Sequence, residues 1–216
     1  MKSETKQTRT FILVGGKLCL DFINTVGNYG AVEKRSEYLK DYKDLIDWSR
    51  QAGIFSDEEA KKILSESVRH PAKASAALEN AIEFREAIYR IFSSIVSKKT
   101  FSKNDLKILN RQLNEAMSRS QIVQTAEGFA WEWTQDKQAF DSMLWRVARS
   151  AAELLISGDE LSRLKECSDH ICRWLFLDAS KNRSRRWCEM RDCGSRAKSR
   201  RFYERSKIAR NGQSRQ

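Results

Sequence analysis

Four cysteines near the C-terminus constrain this chain more than any other feature. Cys167, Cys172, Cys188 and Cys193 form two Cys-x4-Cys pairs with fifteen residues between them. Two short loops that each offer two thiolates suit the tetrahedral coordination of zinc, so one structural Zn2+ held by these four residues is expected. Protein then fills every ligand position, which leaves the metal no open site for catalysis. His170 lies inside the first pair and is the alternative ligand to a cysteine. Cys19, within Leu-Cys-Leu-Asp-Phe-Ile, stands apart and reads as a buried apolar thiol. Two short strands are expected between the pairs, at 174–177 and 185–187. After them, Gly194 permits a tight turn and Ser195 is placed to cap the next helix.

Charge is concentrated in the same region. Residues 181–216 hold 13 Lys or Arg against 3 Asp or Glu, whereas residues 1–180 carry only +1 of the chain's net +11. Residues 195–209 read as a helix with charge on most faces, and such a helix repels itself unless an anion neutralises it. Phosphate does so, and Arg matches phosphate or guanine edges with a forked donor. The candidate nucleic-acid contacts are Arg183, Arg185 and Arg186 in a loop, then Arg196, Lys198, Arg200, Arg201, Tyr203 and Arg205 on the helix. Double-stranded DNA is the expected partner. The alternatives are an RNA- or ribosome-associated zinc protein, a protein-interaction adaptor with a structural zinc, and a solvated cationic tail with nonspecific affinity only.

The remainder is mainly α. Pro occurs once, at Pro71, and apolar residues recur at helical spacing. Helices are expected around 18–26, from Tyr42 to an end near Gly53, from a Ser56/Glu59 capping box, along 78–96, from Ser102 with Asp105, and over 140–156. Residues 11–14 read as a short strand. The alternating segment 121–134 predicts a β-hairpin around Glu127-Gly128. The expected fold is therefore a helical N-terminal domain with a small hairpin, about 1–160, followed by a treble-clef-like zinc finger, about 161–216. No apolar run is long enough for a membrane span, and the first residues lack a secretory signal pattern, so a cytoplasmic location is expected.

Arg85 falls inside the apolar stripe of 78–96, where a charge must be paired, reach solvent or face a cavity. An ion pair with Asp21 is one reading. The other is a pocket for a small anionic ligand, with Arg85 as clamp beside Asp21 and Asn24 and walls from Trp48, Trp131 and Trp133. Catalytic patterns are lacking: there are two histidines, His70 and His170, no glycine-rich phosphate loop and no nucleophile motif, so no enzyme is expected.

With these residues in view, the chain resembles the CGNR zinc-finger family, whose members join an ABATE domain to a C-terminal finger. Gly-Gly-Lys-Leu-Cys-Leu-Asp-Phe-Ile-Asn-Thr-Val (15–26) is similar to the ABATE opening, 84–92 to its Arg-containing helix and 150–159 to its last helix. Residues 167–205 resemble the finger almost position by position. The resemblance implies a bacterial transcription regulator of the kind described as stress-induced, with Cys167, Cys172, Cys188 and Cys193 as zinc ligands. The N-terminal domain is a candidate for ligand sensing or for homodimer formation. The signature Cys-Gly-Asn-Arg is Cys193-Gly194-Ser195-Arg196 here. Ser preserves the capping chemistry but not the Asn amide.

Overall fold

A buried helix, α1 (Leu18–Ile23), is the centre about which the other elements assemble. Its Cys19, Leu20, Phe22 and Ile23 are inaccessible to solvent, while Leu18 and Asp21 are half-buried. Phe22 lies 4.9 Å from the ring of Trp48 and 6.3 Å from that of Phe84. The structure is a computed structural model that describes residues 9–133 and 139–213. Residues 1–8 and Thr134, the last residue of the expected hairpin, lie outside these ranges.

Local chemistry sets the helix boundaries. Asp41 accepts from Asp44 N to start α2 (Tyr42–Gln51). Ser56 and Glu59 form the expected capping box of α3 (Asp57–Arg69), and Pro71 opens α4 (Pro71–Val96) at a position that needs no donor. Ser102 caps α5 (Lys103–Ser118) through Asn104 N at 3.1 Å. Asp105 does not join that cap. It is buried and takes a forked pair from Arg90, with contacts of 2.6–3.1 Å. After α5 comes the antiparallel hairpin of β3 (Ser120–Thr125) and β4 (Gly128–Trp133), followed by α6 (Met143–Ile156) and α7 (Gly158–Ser162). Helix α6 begins later than expected, because Phe140 turns inward before it and accepts from Tyr42 Oη at 2.6 Å.

On α4 the buried residues include Phe84, Ala87 and Ile91 as well as Ala81, Ile88 and Phe92. The stripe is therefore wider than the 78–96 pattern suggests, because α1, α2, α3 and α5 all pack on this helix. Arg85 is also fully buried.

Two expected strands do not form. In 11–14, side-chain bonds replace a ladder: Gln51 accepts from Phe11 N at 2.9 Å and donates to Arg9 O at 2.7 Å. In 185–187, the Arg185 N–H is taken by the Asp178 carboxylate at 2.9 Å. The strand over 174–177 does form, as β6 (Leu175–Leu177), but its antiparallel partner is β5 (Leu164–Glu166), which precedes the first cysteine.

The β5–β6 hairpin belongs to the main core. Leu164 and Leu175 join the same apolar cluster as α1. A second two-stranded pair, β1 (Val26–Gly27) with β2 (Ser36–Glu37), carries the loop 28–35 toward the cysteines. There Tyr29 N donates to Cys172 O at 3.2 Å and Gly30 N to Ile171 O at 3.0 Å. Gly30 has no substitute at this contact, since a Cβ would lie 1.7 Å from His170 O.

Candidate metal centre and nucleic-acid interface

The cysteines converge from two devices. Cys167 and Cys172 flank the loop of the β5–β6 hairpin, and Cys167 N donates to Trp174 O at 2.8 Å, which closes that loop. Cys188 precedes, and Cys193 lies within, a single π-helical turn (Met190–Gly194) that runs directly into α8 (Ser195–Gln213). All four side chains are buried, and their Sγ atoms lie within 4.8 Å of one another. Cys188 Sγ is 3.6 Å from both Cys172 Sγ and Cys193 Sγ. A tetrahedron with metal–sulfur bonds of ~2.3 Å has edges of about 3.8 Å, so this spacing fits zinc and is far too long for a disulfide. The contacts with Cys167, Cys172 and Cys193, together with burial, push the Cys188 thiol well above its ordinary range. A divalent cation is what allows four such crowded groups to ionise together. Its contribution is structural: it closes the module.

The hairpin, the π-turn and the outgoing helix form the treble-clef-like arrangement expected for this segment. His170 is exposed and is not among the clustered ligands. Ser195 does not cap α8. It is already helical, and its Oγ donates to Met190 O at 3.3 Å.

Several expected nucleic-acid residues are instead built into the module. Arg185 donates to the carbonyls of Trp187, Leu177, Val14 and Cys188 and lies 4.3 Å over the Phe176 ring. Arg196 donates to Asp169, to Asp192 and to Cys193 Sγ. Arg183 adopts a left-handed backbone, φ 48°, and its guanidinium reaches Asp159 and Ser162 at 3.4 Å. Beneath it, Asp178 organises the loop. Burial raises its pKa, but bonds from Lys165, Ser180 and Arg185 outweigh burial and hold the carboxyl below its ordinary value.

The others face outward. Arg186 is exposed and lies over the Trp187 ring at 5.3 Å. Ala197 is the last fully buried residue of α8 among those whose side chains are described. Beyond it Lys198, Arg201, Tyr203 and Arg205 are exposed and Arg200 is half-buried. No ion pair within the described residues engages Lys198, Arg200, Arg201 or Arg205. Phe202, a residue that helical spacing alone would assign to docking, is 68% exposed and meets Tyr203 edge-on at 6.0 Å.

Two family models match the chain. Residues 16–158 match ABATE, described as "Putative stress-induced transcription regulator", and residues 163–206 match the CGNR zinc finger. The chain belongs to the ABATE family and carries a CGNR zinc finger. No curated protein matches it.

This ABATE protein corrects the expected ligand pocket. Arg85 does not pair with Asp21. Its Nη1 and Nη2 fork onto Glu37 at 2.7 and 2.5 Å, Nε and Nη2 reach Glu86, and Nη1 also meets Thr25 Oγ1 at 3.1 Å. All five N–H donors are thereby used, leaving none for an incoming anion. Asp21 accepts from Gly15 N at 2.8 Å. Burial pushes its pKa up to about 6 against a lowering by backbone bonds. Asn24 clasps one residue of the finger, donating to Leu175 O at 2.9 Å and accepting from Leu175 N at 3.1 Å. Asp21 and Asn24 share a small cavity of about 220 Å³ with Arg9, Tyr38 and Trp174, and Arg85 is not in its wall. Trp48 is buried in the core, whereas Trp131 and Trp133 line a separate groove of about 1140 Å³ between the β3–β4 hairpin, α3 and α6.

Sequence reasoning misses Asp169, Asp178, Lys165 and Trp174, which hold the loops that carry the cysteines. Trp174 Nε1 donates to Val26 O at 2.6 Å. The one available signal is position: Asp169 sits two residues after Cys167, and Trp174 two residues after Cys172.

Proposed function

We propose that this zinc-finger protein is a transcription regulator that binds double-stranded DNA through α8. The observation that carries this reading is the exit of α8 from the metal centre. One turn is anchored at Cys193, Gly194 and Ala197, and the following turns offer Lys198, Arg200, Arg201 and Arg205 without an ion-pair partner among the described residues. Zinc fixes the start of the helix, and phosphate supplies the counter-charge that the protein does not. The contact set is narrower than the sequence pattern implies. Arg185 and Arg196 leave it because their guanidinium groups are already committed.

The exposed pair Phe202 and Tyr203 favours a second reading, in which unpaired bases of RNA stack on the helix. Titration of the full chain with a duplex and with a structured RNA separates the two. Five phosphate contacts, from Arg186, Lys198, Arg200, Arg201 and Arg205, would weaken duplex binding about 500-fold between 50 and 200 mM salt. Duplex preference, a steep salt slope and loss of binding on chelation are the expected results. A flat slope overturns the electrostatic reading, and RNA preference moves the partner. The homodimer belongs to the same proposal and is read by light scattering of the free and DNA-bound chain.

A further inference from the structure

We infer that Arg196 is the positioning residue of the zinc site, a guanidinium that ties the two cysteine pairs together and hydrogen-bonds one of the metal's own sulfurs. It sits in the first turn of α8, three residues after Cys193. Its Nη2 donates to Cys193 Sγ at 2.9 Å. Its Nε donates to Asp169 Oδ2 at 3.0 Å, and its Nη1 meets Asp192 Oδ1 at 2.9 Å.

These three partners come from different places. Asp169 belongs to the loop between Cys167 and Cys172, is 1% exposed, and also accepts from Ile171 N at 3.2 Å. Asp192 lies between Cys188 and Cys193. One planar, forked cation therefore spans both pairs, a geometry that the single point charge of Lys cannot reproduce.

Four thiolates on one divalent cation leave the centre with an excess of two negative charges. A cation that hydrogen-bonds a thiolate withdraws electron density from it, offsets that excess and makes the sulfur a poorer nucleophile. Arg196 also sets the direction in which α8 leaves the metal, because it holds the first turn against Asp169 across the module. The inference rests on the zinc site and is independent of whether α8 binds DNA or RNA.

The test compares full-length Arg196→Ala, Arg196→Lys and Asp169→Asn with Lys198→Ala, an exposed cation two residues along the same helix. Zinc affinity is read by competition with a chromophoric chelator, and the sulfur-to-metal charge-transfer band is read on the cobalt-substituted chain. Arg196→Ala is expected to lose about 10- to 100-fold in zinc affinity, the range of outer-shell partners of metal ligands. Its thiols should react faster with an alkylating agent in the metal-loaded form, and the charge-transfer band should move. Arg196→Lys recovers only part of the affinity, and Lys198→Ala stays within twofold of the parent. If the Arg196→Ala chain fails to fold, Asp169→Asn and Arg196→Lys carry the same comparison with the backbone intact. Zinc affinity within twofold of the parent in the Arg196 and Asp169 variants overturns the inference. So does an equal loss in Lys198→Ala, which would reduce the effect to net charge. Loss of zinc affinity with DNA binding retained at saturating zinc supports it. DNA binding that fails in every chain, the parent included, sinks the nucleic-acid reading and leaves this one standing.

Discussion

Asp21 shows how much a single side chain can be asked to do in a core. It is one residue of the Leu-Asp-Phe-x-Asn-Thr run. Its carboxylate holds Gly15 N, and burial raises its pKa from 3.8 to about 6. The folded chain thus binds this proton more tightly than the unfolded chain. The stabilisation is complete below pH 3.8 and is lost as pH rises through about 6. Two pKa units correspond to roughly 2–3 kcal/mol. Asp21→Asn keeps the acceptor and removes the ionisation. It should match the parent near pH 4 and exceed its stability by that order at pH 8, measured by urea unfolding at both values. A parent-like variant at pH 8 would show that the carboxylate is solvated. The sequence makes the run conspicuous but not its purpose, because spacing reveals neighbours along the chain and not partners across it. The partner of Asn24 is Leu175, 151 positions away.

At the scale of elements, Arg85 joins α4 to the β1–β2 pair and not to a ligand. Its fork on Glu37 and its bond to Thr25 hold the strands that carry loop 28–35 to the cysteines. Arg85→Ala leaves Glu37 without its cation, although Glu86 keeps Arg35, and should destabilise the chain by about 3–5 kcal/mol in denaturant unfolding. A loss under about 1 kcal/mol would mean that the pair behaves as an exposed one. The elements themselves were largely legible. The Ser56/Glu59 box and the alternation within 121–134 act through neighbours a few residues apart, and both form in the described residues as their patterns imply. The failures, at 11–14 and 185–187, share one cause. Side chains of Gln51 and Asp178 satisfy backbone groups that a local pattern assigns to a ladder. The metal centre was legible because four cysteines need no distant information to be recognised. The commitment of Arg185 and Arg196 to bonds that brace the module was not, since Arg looks the same in either role.

For the whole molecule, metal and core are linked. Tyr29 shows this best: its N–H meets Cys172 O, its hydroxyl donates to Ile23 O, and its ring stacks on Tyr89 at 3.7 Å. Chelation should therefore loosen more than the finger. Amide exchange is expected to accelerate at Tyr29, Gly30 and Leu175 along with the cysteine loops, while α5, which the metal module does not touch among the stronger contacts, keeps its protection. Acceleration confined to 167–193 would show the link to be passive. The clasp of Asn24 on Leu175 has a consequence for how the protein is made. The strand that completes the surroundings of the central helix is synthesised 151 positions after Asn24, shortly before the last two cysteines. Until then α1 has no finished environment, so closure of the core and capture of the metal fall close together in synthesis, and a cell short of zinc would meet this shortage as a failure of maturation.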